Sequence, residues 1–218
     1  MTTTTAPKTV SKLFGKDEKR AVLDPLWDNN PIALQVLGIC SALAVTTGVK
    51  TSVVMGISVV AVTAAAAVIV SLLRNLIPNK IRIVVQLVVV SAAVICVDEV
   101  LKAYMYDLSK QLSVFIGLII TNCMVMGRLE AYSMGNPPWR SFLDAVGNGL
   151  GYAWILIAVG VVREIGGAGK LFGYQVIPES LYEAGYVNNG LMVLAPGAFI
   201  LLGIIVWIQR AISGYVEK

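Results

Sequence analysis

The apolar residues of this chain fall in blocks of membrane-spanning length joined by short polar segments, a pattern that points to lipid as the solvent the fold is built for. Six blocks stand out: Ile32–Thr47, Ser52–Leu73, Ile83–Leu101, Leu112–Gly127, Phe142–Val162 and Leu191–Ile208. The composition agrees. Of 218 residues, 57% are apolar and 14% charged, against roughly a quarter charged in a soluble domain, and the mean hydropathy is +0.78. The expected fold is an all-α polytopic membrane protein of six transmembrane helices, with no room for a separate soluble domain.

Most joints are short. The exception, Arg163 to Gly190, holds Gly166, Gly167, Gly169, Pro178 and Asn188-Asn189-Gly190 and reads as an exposed loop. Residues 1–29 carry Lys8, Lys12, Lys16, Lys19 and Arg20 with no apolar core before Ile32, so they read as a polar cytoplasmic tail rather than a signal peptide. Within the tail, Lys12, Leu13, Phe14 and Lys16 suit either a short amphipathic helix on lipid headgroups or a frayed end. With the N-terminus inside, twelve of the 17 Lys and Arg residues fall in inner segments. That bias, with an even number of spans, puts both termini in the cytoplasm. The net charge of +4 therefore speaks of orientation in a bilayer, not of a nucleic-acid partner.

Two spans are undersized. Ile32–Thr47 and Leu112–Gly127 have sixteen residues each, a straight length of about 24 Å against a hydrocarbon core of about 30 Å. They open two successive groups of three spans, each has one central cysteine, and each is followed by a longer span ending in an arginine, Arg74 or Arg163. The pattern divides the chain into a tail (1–29), two three-helix repeats (30–105 and 106–212) and a C-terminal end (213–218). Units of three spans must alternate in topology, related by a pseudo-twofold axis in the membrane plane, with interrupted first helices marking a midplane site. Gln35, Ser41, Thr121 and Asn122 within the short spans can serve backbone groups freed by such breaks.

Histidine is absent, which removes Ser-His-Asp catalysis, histidine-ligated haem and histidine-containing zinc and non-haem iron sites. Three cysteines remain. A membrane cysteine is ordinarily a small apolar residue, and Cys96, without a counterpart in the other half, is assigned to core packing. The matched Cys40 and Cys123 suit a metal centre straddling the axis, a disulfide, or packing; a four-cysteine cluster would need two more thiolates from a second chain. Asp98 and Glu99 near the end of span three either mark a cation pathway or sit in the outer interface beside Lys102, and Asp144 is a weaker candidate of the same kind. Gly166-Gly167-Ala168-Gly169-Lys170 is not a phosphate loop, because Leu171 stands where Ser or Thr should bind magnesium. Gly147-Asn148-Gly149-Leu150-Gly151 reads as helix packing.

The stretches Asn29 through Leu37-Gly38-Ile39-Cys40-Ser41 to Thr47, and Gly117 through Ile120-Thr121-Asn122-Cys123-Met124 to Arg128, resemble the D- and E-type membrane subunits of the bacterial sodium-translocating NADH:quinone oxidoreductase and the related Rnf complex. Leu101-Lys102-Ala103-Tyr104 and Gly147 to Tyr152 fit too, and the likeness covers nearly everything from Leu23 to Trp207. Asn30-Pro31-Ile32-Ala33-Leu34-Gln35 and Tyr106-Asp107-Leu108-Ser109-Lys110-Gln111-Leu112-Ser113 look closer to the quinone-reductase branch. The resemblance implies an inner-membrane electron-transfer subunit, inactive alone, that shares an intramembrane 2Fe-2S cluster with a homologous E-type partner, two cysteines from each chain. Carried over, the two positions are Cys40 and Cys123, with Thr121 and Asn122 as candidate donors to sulfur. The resemblance also implies that NADH, flavins and quinone bind other subunits of a six-subunit reductase that exports sodium. The competing readings are the counterpart in the Rnf ferredoxin:NAD complex and a small inverted-repeat secondary transporter.

Overall fold

The computed structural model describes residues 22–27, 29–78, 80–104, 117–171, 174–175 and 190–213. The Lys12–Lys16 pattern of the tail lies outside them. The helices in chain order are α1 (Ile39–Val45), α2 (Val49–Leu73), α3 (Arg82–Tyr104), α4 (Cys123–Arg128), α5 (Pro138–Ala168), α6 (Gly190–Val193) and α7 (Ala195–Ser213). Four of these, α2, α3, α5 and α7, are long and apolar enough to cross a membrane. A 3-10 turn at Asp24–Leu26 precedes α1, and a π-helical turn at Leu129–Ser133 extends α4.

Helices α2 and α5 form the centre. Hydrophobicity between apolar helices has no driving force in lipid, so close approach through small residues must supply the contact. A Cβ added at Gly56 would lie 2.9 Å from the Ala153 Cβ, one at Gly149 2.9 Å from a Val60 methyl, and one at Gly160 2.6 Å from the Ser52 hydroxyl. Positions rise along α2 as they fall along α5, so the two run antiparallel. Met55, Val59, Val62 and Val70 from α2 and Tyr152, Leu156 and Val159 from α5 are buried in the resulting core.

The turns between elements are tied to the far end of this pair. Ser71, near the end of α2, donates to the Asn136 carbonyl just before α5 (2.6 Å). At the opposite end, Arg163 of α5 donates to the Leu43 carbonyl (3.1 Å) and the Thr46 hydroxyl (2.6 Å), and Glu164 accepts the Val49 N–H (2.6 Å). A cation thus meets the C-terminal end of α1 and an anion the N-terminal end of α2, the signs that helix dipoles favour.

Several expectations need correction. The Arg163–Gly190 joint is not wholly loop: α5 continues through Gly166 and Gly167 and stops at Gly169 in a left-handed cap (φ +66°). Met192 and Val193 pack on the two glycines, which lets the helix tolerate them. Arg163 is therefore 1% exposed inside the helix rather than in an outer loop. Beyond Gly169, Lys170–Leu171 and Tyr174–Gln175 pair as a two-residue antiparallel ladder. The last span is divided into α6 and α7 at Leu194. Cys96 is exposed, not in the core of this chain, because α3 touches its neighbours only through Gln86, Val90, Val94 and the partly buried residues around them, leaving Ile83, Val84, Val88, Ile95 and Val100 outward.

Candidate metal centre

Both undersized spans are interrupted. In the first, Asn30 is fully buried, and its side-chain oxygen accepts from the Ile32 and Ala33 N–H groups (2.9 and 3.3 Å) while its amide donates to the Gly151 carbonyl of α5 (2.9 Å). This holds a single turn over 31–35. The chain then passes through positive φ at Val36 (+58°) and Gly38 (+79°) before α1 begins at Ile39. A β-branched residue in that region is strained. In the second span, helical residues 117–120 stop at Thr121, and α4 restarts at Cys123 with Asn122 as its cap, the side chain accepting the Met124 N–H (3.0 Å). Asparagine is a preferred residue at such a position because its side chain serves a first-turn N–H.

The two breaks meet. The Gly38 N–H donates to the Cys123 Sγ (3.4 Å), and Cys40 follows Gly38 by two residues. A Cβ at Gly38 would lie 3.3 Å from the Asn122 side-chain oxygen, and one at Gly127 3.3 Å from a Leu37 methyl. Between the segments lies a buried polar knot. Ser41 Oγ donates to the Gly38 carbonyl (2.9 Å), accepts from the Asn122 amide (3.1 Å), and pairs with the Tyr152 hydroxyl (2.6 Å). Ser41, Asn122 and Tyr152 are each at most 3% exposed, so these bonds form where unpaired polar groups are costly.

Helix α5 works as a ruler for this crossing. Arg128 at the end of α4 forms a two-toothed ion pair with Asp144 (Nε to Oδ2 3.0 Å), and Asn148 donates to the same carboxylate (3.2 Å). Tyr152 lies about 12 Å further along α5 and Arg163 about 16 Å beyond that. Asp144 therefore fixes the far end of α4, Arg163 fixes the far end of α1, and the breaks meet between them. Arg163 also donates to the Met192 and Val193 carbonyls (2.9 and 2.6 Å), so one guanidinium serves the ends of α1 and α6.

Cys40 and Cys123 are both free thiols and both exposed on this chain. The donor set they offer suits a thiolate-ligated iron–sulfur group only in part, because four thiolates are needed and this chain carries two, on segments that meet where the Cys123 sulfur accepts the Gly38 N–H. Among the described residues no group of three or more Cys, Asp or Glu side chains converges. Exposure of the two sulfurs leaves them open to ligands from another chain.

The other expected site residues are elsewhere. The Thr121 hydroxyl is turned back to the Gly117 carbonyl (3.2 Å), and the Asn122 amide goes to Ser41, so the donor that reaches sulfur is the Gly38 backbone. Asp98 pairs with Lys102 (2.6 Å), which also holds Glu99 (3.0 Å). Asp144 is buried but bonded to Arg128 and Asn148. Glu130, on the π-helical turn, forms an ion pair with Arg82 and accepts from the buried Gln86 (2.9 Å). Sequence reasoning missed Tyr152, Ser41 as a hub and Arg163 as a clamp. The available signals were Ser41 inside an undersized apolar span, Tyr152 midway along the fifth apolar block, and Arg163 directly after that block.

Residues 19–206 match the family model described as Rnf-Nqr subunit, membrane protein. The chain is 57% identical over 205 residues to the D-type subunit of the Na(+)-translocating NADH-quinone reductase of Yersinia pestis (strain Pestoides F), covering 93% of this chain and 98% of that one. The corresponding D-type chain of Yersinia pseudotuberculosis serotype O:1b is 57% identical and that of Yersinia enterocolitica serotype O:8 is 56% identical, over the same shares.

Proposed function

With the chain a member of the Rnf-Nqr family of membrane-protein subunits, we propose that it is the D-type subunit of a sodium-translocating NADH:quinone reductase and that Cys40 and Cys123 supply two of the four thiolates of an intramembrane 2Fe-2S cluster. The observation that carries the proposal is the contact of the Cys123 sulfur with the Gly38 N–H, which brings both cysteine-bearing breaks to one point. A homologous E-type subunit, approaching the exposed face of the two sulfurs, completes the ligand set. When bound, such a cluster accepts and passes on one electron at a time, making the subunit a relay between cofactors on the two sides of the bilayer. NADH, flavin and quinone bind elsewhere in the complex, and sodium export is a property of the whole assembly.

The role of this chain is then to hold the two sulfurs in place. Buried Tyr152, Ser41 and Asn122 tie the two breaks to α5, and the Gly38 N–H donates to sulfur where negative charge is held. The reciprocal ties at the ends of α2 and α5, Ser71 to Asn136 and Arg163 to Leu43, support two inverted three-helix units, 30–105 and 106–212, with six spans in all. The positive residues support cytoplasmic termini in a bacterial inner membrane.

The test uses the purified complex carrying Cys40→Ala or Cys123→Ala. Each variant should lose one cluster's worth of iron and its electron paramagnetic resonance signal, and quinone reduction should fall by at least tenfold. Full iron content with a wild-type rate would refute the ligand assignment.

A further inference from the structure

We infer that Tyr152 is a positioning residue for the Cys123 sulfur, acting through Ser41 to hold the Gly38 N–H on it; the inference rests on the cluster reading above. The hydrogen bonds fix the direction of the chain of contacts. A serine hydroxyl has one hydrogen and two lone pairs. Ser41 donates its hydrogen to the Gly38 carbonyl, so it accepts from the Asn122 amide and from the Tyr152 hydroxyl. Its capacity is then filled, with Tyr152 as the donor from α5.

Tyr152 also touches the same glycine directly. Its ring edge occupies the place a side chain at residue 38 would take, 2.8 Å from an added Cβ. Gly38 is thereby held at φ +79°, its carbonyl bonded to Ser41 and to the Ala42 N–H (3.1 Å) and its own N–H bonded to sulfur (3.4 Å). With the carbonyl and Cα anchored and φ held at +79°, the N–H points at the Cys123 sulfur. An N–H donor to a ligating sulfur withdraws electron density and raises the reduction potential of an iron–sulfur centre. Tyr152 itself is fully buried, and the path from its hydroxyl to Gly38 runs through Ser41.

The test compares Tyr152→Phe, Ser41→Ala and the double variant in the purified complex, reading iron content and the midpoint potential of the cluster by redox titration. Phenylalanine keeps the ring against Gly38 and removes only the hydroxyl. The expected result is wild-type iron in all three, a more negative potential in each single variant, and no further shift when Tyr152→Phe is added to Ser41→Ala, because both changes cut the same path. An unchanged potential in Tyr152→Phe overturns the inference, as does a full additional shift in the Ser41→Ala background. Loss of iron from Tyr152→Phe overturns it too, by assigning Tyr152 to assembly rather than to tuning. Failure of the cluster reading is distinguishable, since Cys123→Ala would then retain its iron.

Discussion

Two residues carry strain or charge that their surroundings must offset. Gly38 sits at φ +79° with the Tyr152 ring in its side-chain slot. Gly38→Ala adds a left-handed penalty of about 1–2 kcal/mol and displaces the ring, so the purified complex should lose iron although Cys40 and Cys123 are intact. A wild-type spectrum in this variant would show that the geometry at Gly38 is not needed. Arg163 is a buried cation whose partners are the Leu43, Met192 and Val193 carbonyls and the Thr46 hydroxyl. Truncating it to alanine leaves several helix-end carbonyls without donors, and hydrogen bonds to a charged group contribute about 1.5–3 kcal/mol each. Arg163→Ala should lower the unfolding temperature of the detergent-solubilised complex by several degrees. Arg163→Lys should recover only part of it, because one ammonium cannot span the ends of α1 and α6. Such a residue was legible as basic and at a span's end, but its burial was not, since three of the carbonyls that hold it come from segments 29 or more positions away.

At the scale of elements, hydropathy located α2, α3 and most of α5 well, because a long apolar helix is the same object in sequence and in space. Span four was harder to read, and span one shows why. Of Ile32–Thr47 only Ile39–Val45 is α-helical, and the break depends on Asn30 reaching across to Gly151, a contact between distant parts of the chain. The shortness of both spans and their polar residues were nonetheless visible, and Asn122 now has a specific task as the cap of α4. The glycines of α5 also behave as their spacing suggested. Gly149→Leu should push α2 away from α5 and cost about 1–3 kcal/mol, whereas Gly203→Leu on α7, where nothing lies within 4 Å of an added Cβ, should be tolerated. Thermal unfolding of the two variants side by side checks this, and equal stability would contradict the packing account.

For the whole molecule, the charges that set orientation are sharpened by the structure. Arg163 and Arg128 are internal, one among carbonyls and one on Asp144, so neither is a loop charge. Removing them leaves the remaining basic residues still more biased towards the expected cytoplasmic side. Lys50 and Lys80 then lie on opposite faces, and Lys50→Cys should react with a membrane-impermeant maleimide in intact cells while Lys80→Cys reacts only after lysis. On the proposed reading, two broken helices crossing beside α5 present Cys40 and Cys123 to one iron–sulfur cluster. The most direct measurement is an anomalous difference map at the iron absorption edge from crystals of the intact complex. Two adjoining iron peaks, with Cys40 and Cys123 each about 2.3 Å from one of them as for metal–thiolate bonds in general, are the predicted result. Iron located away from Cys40 and Cys123, or a disulfide between them, would contradict it.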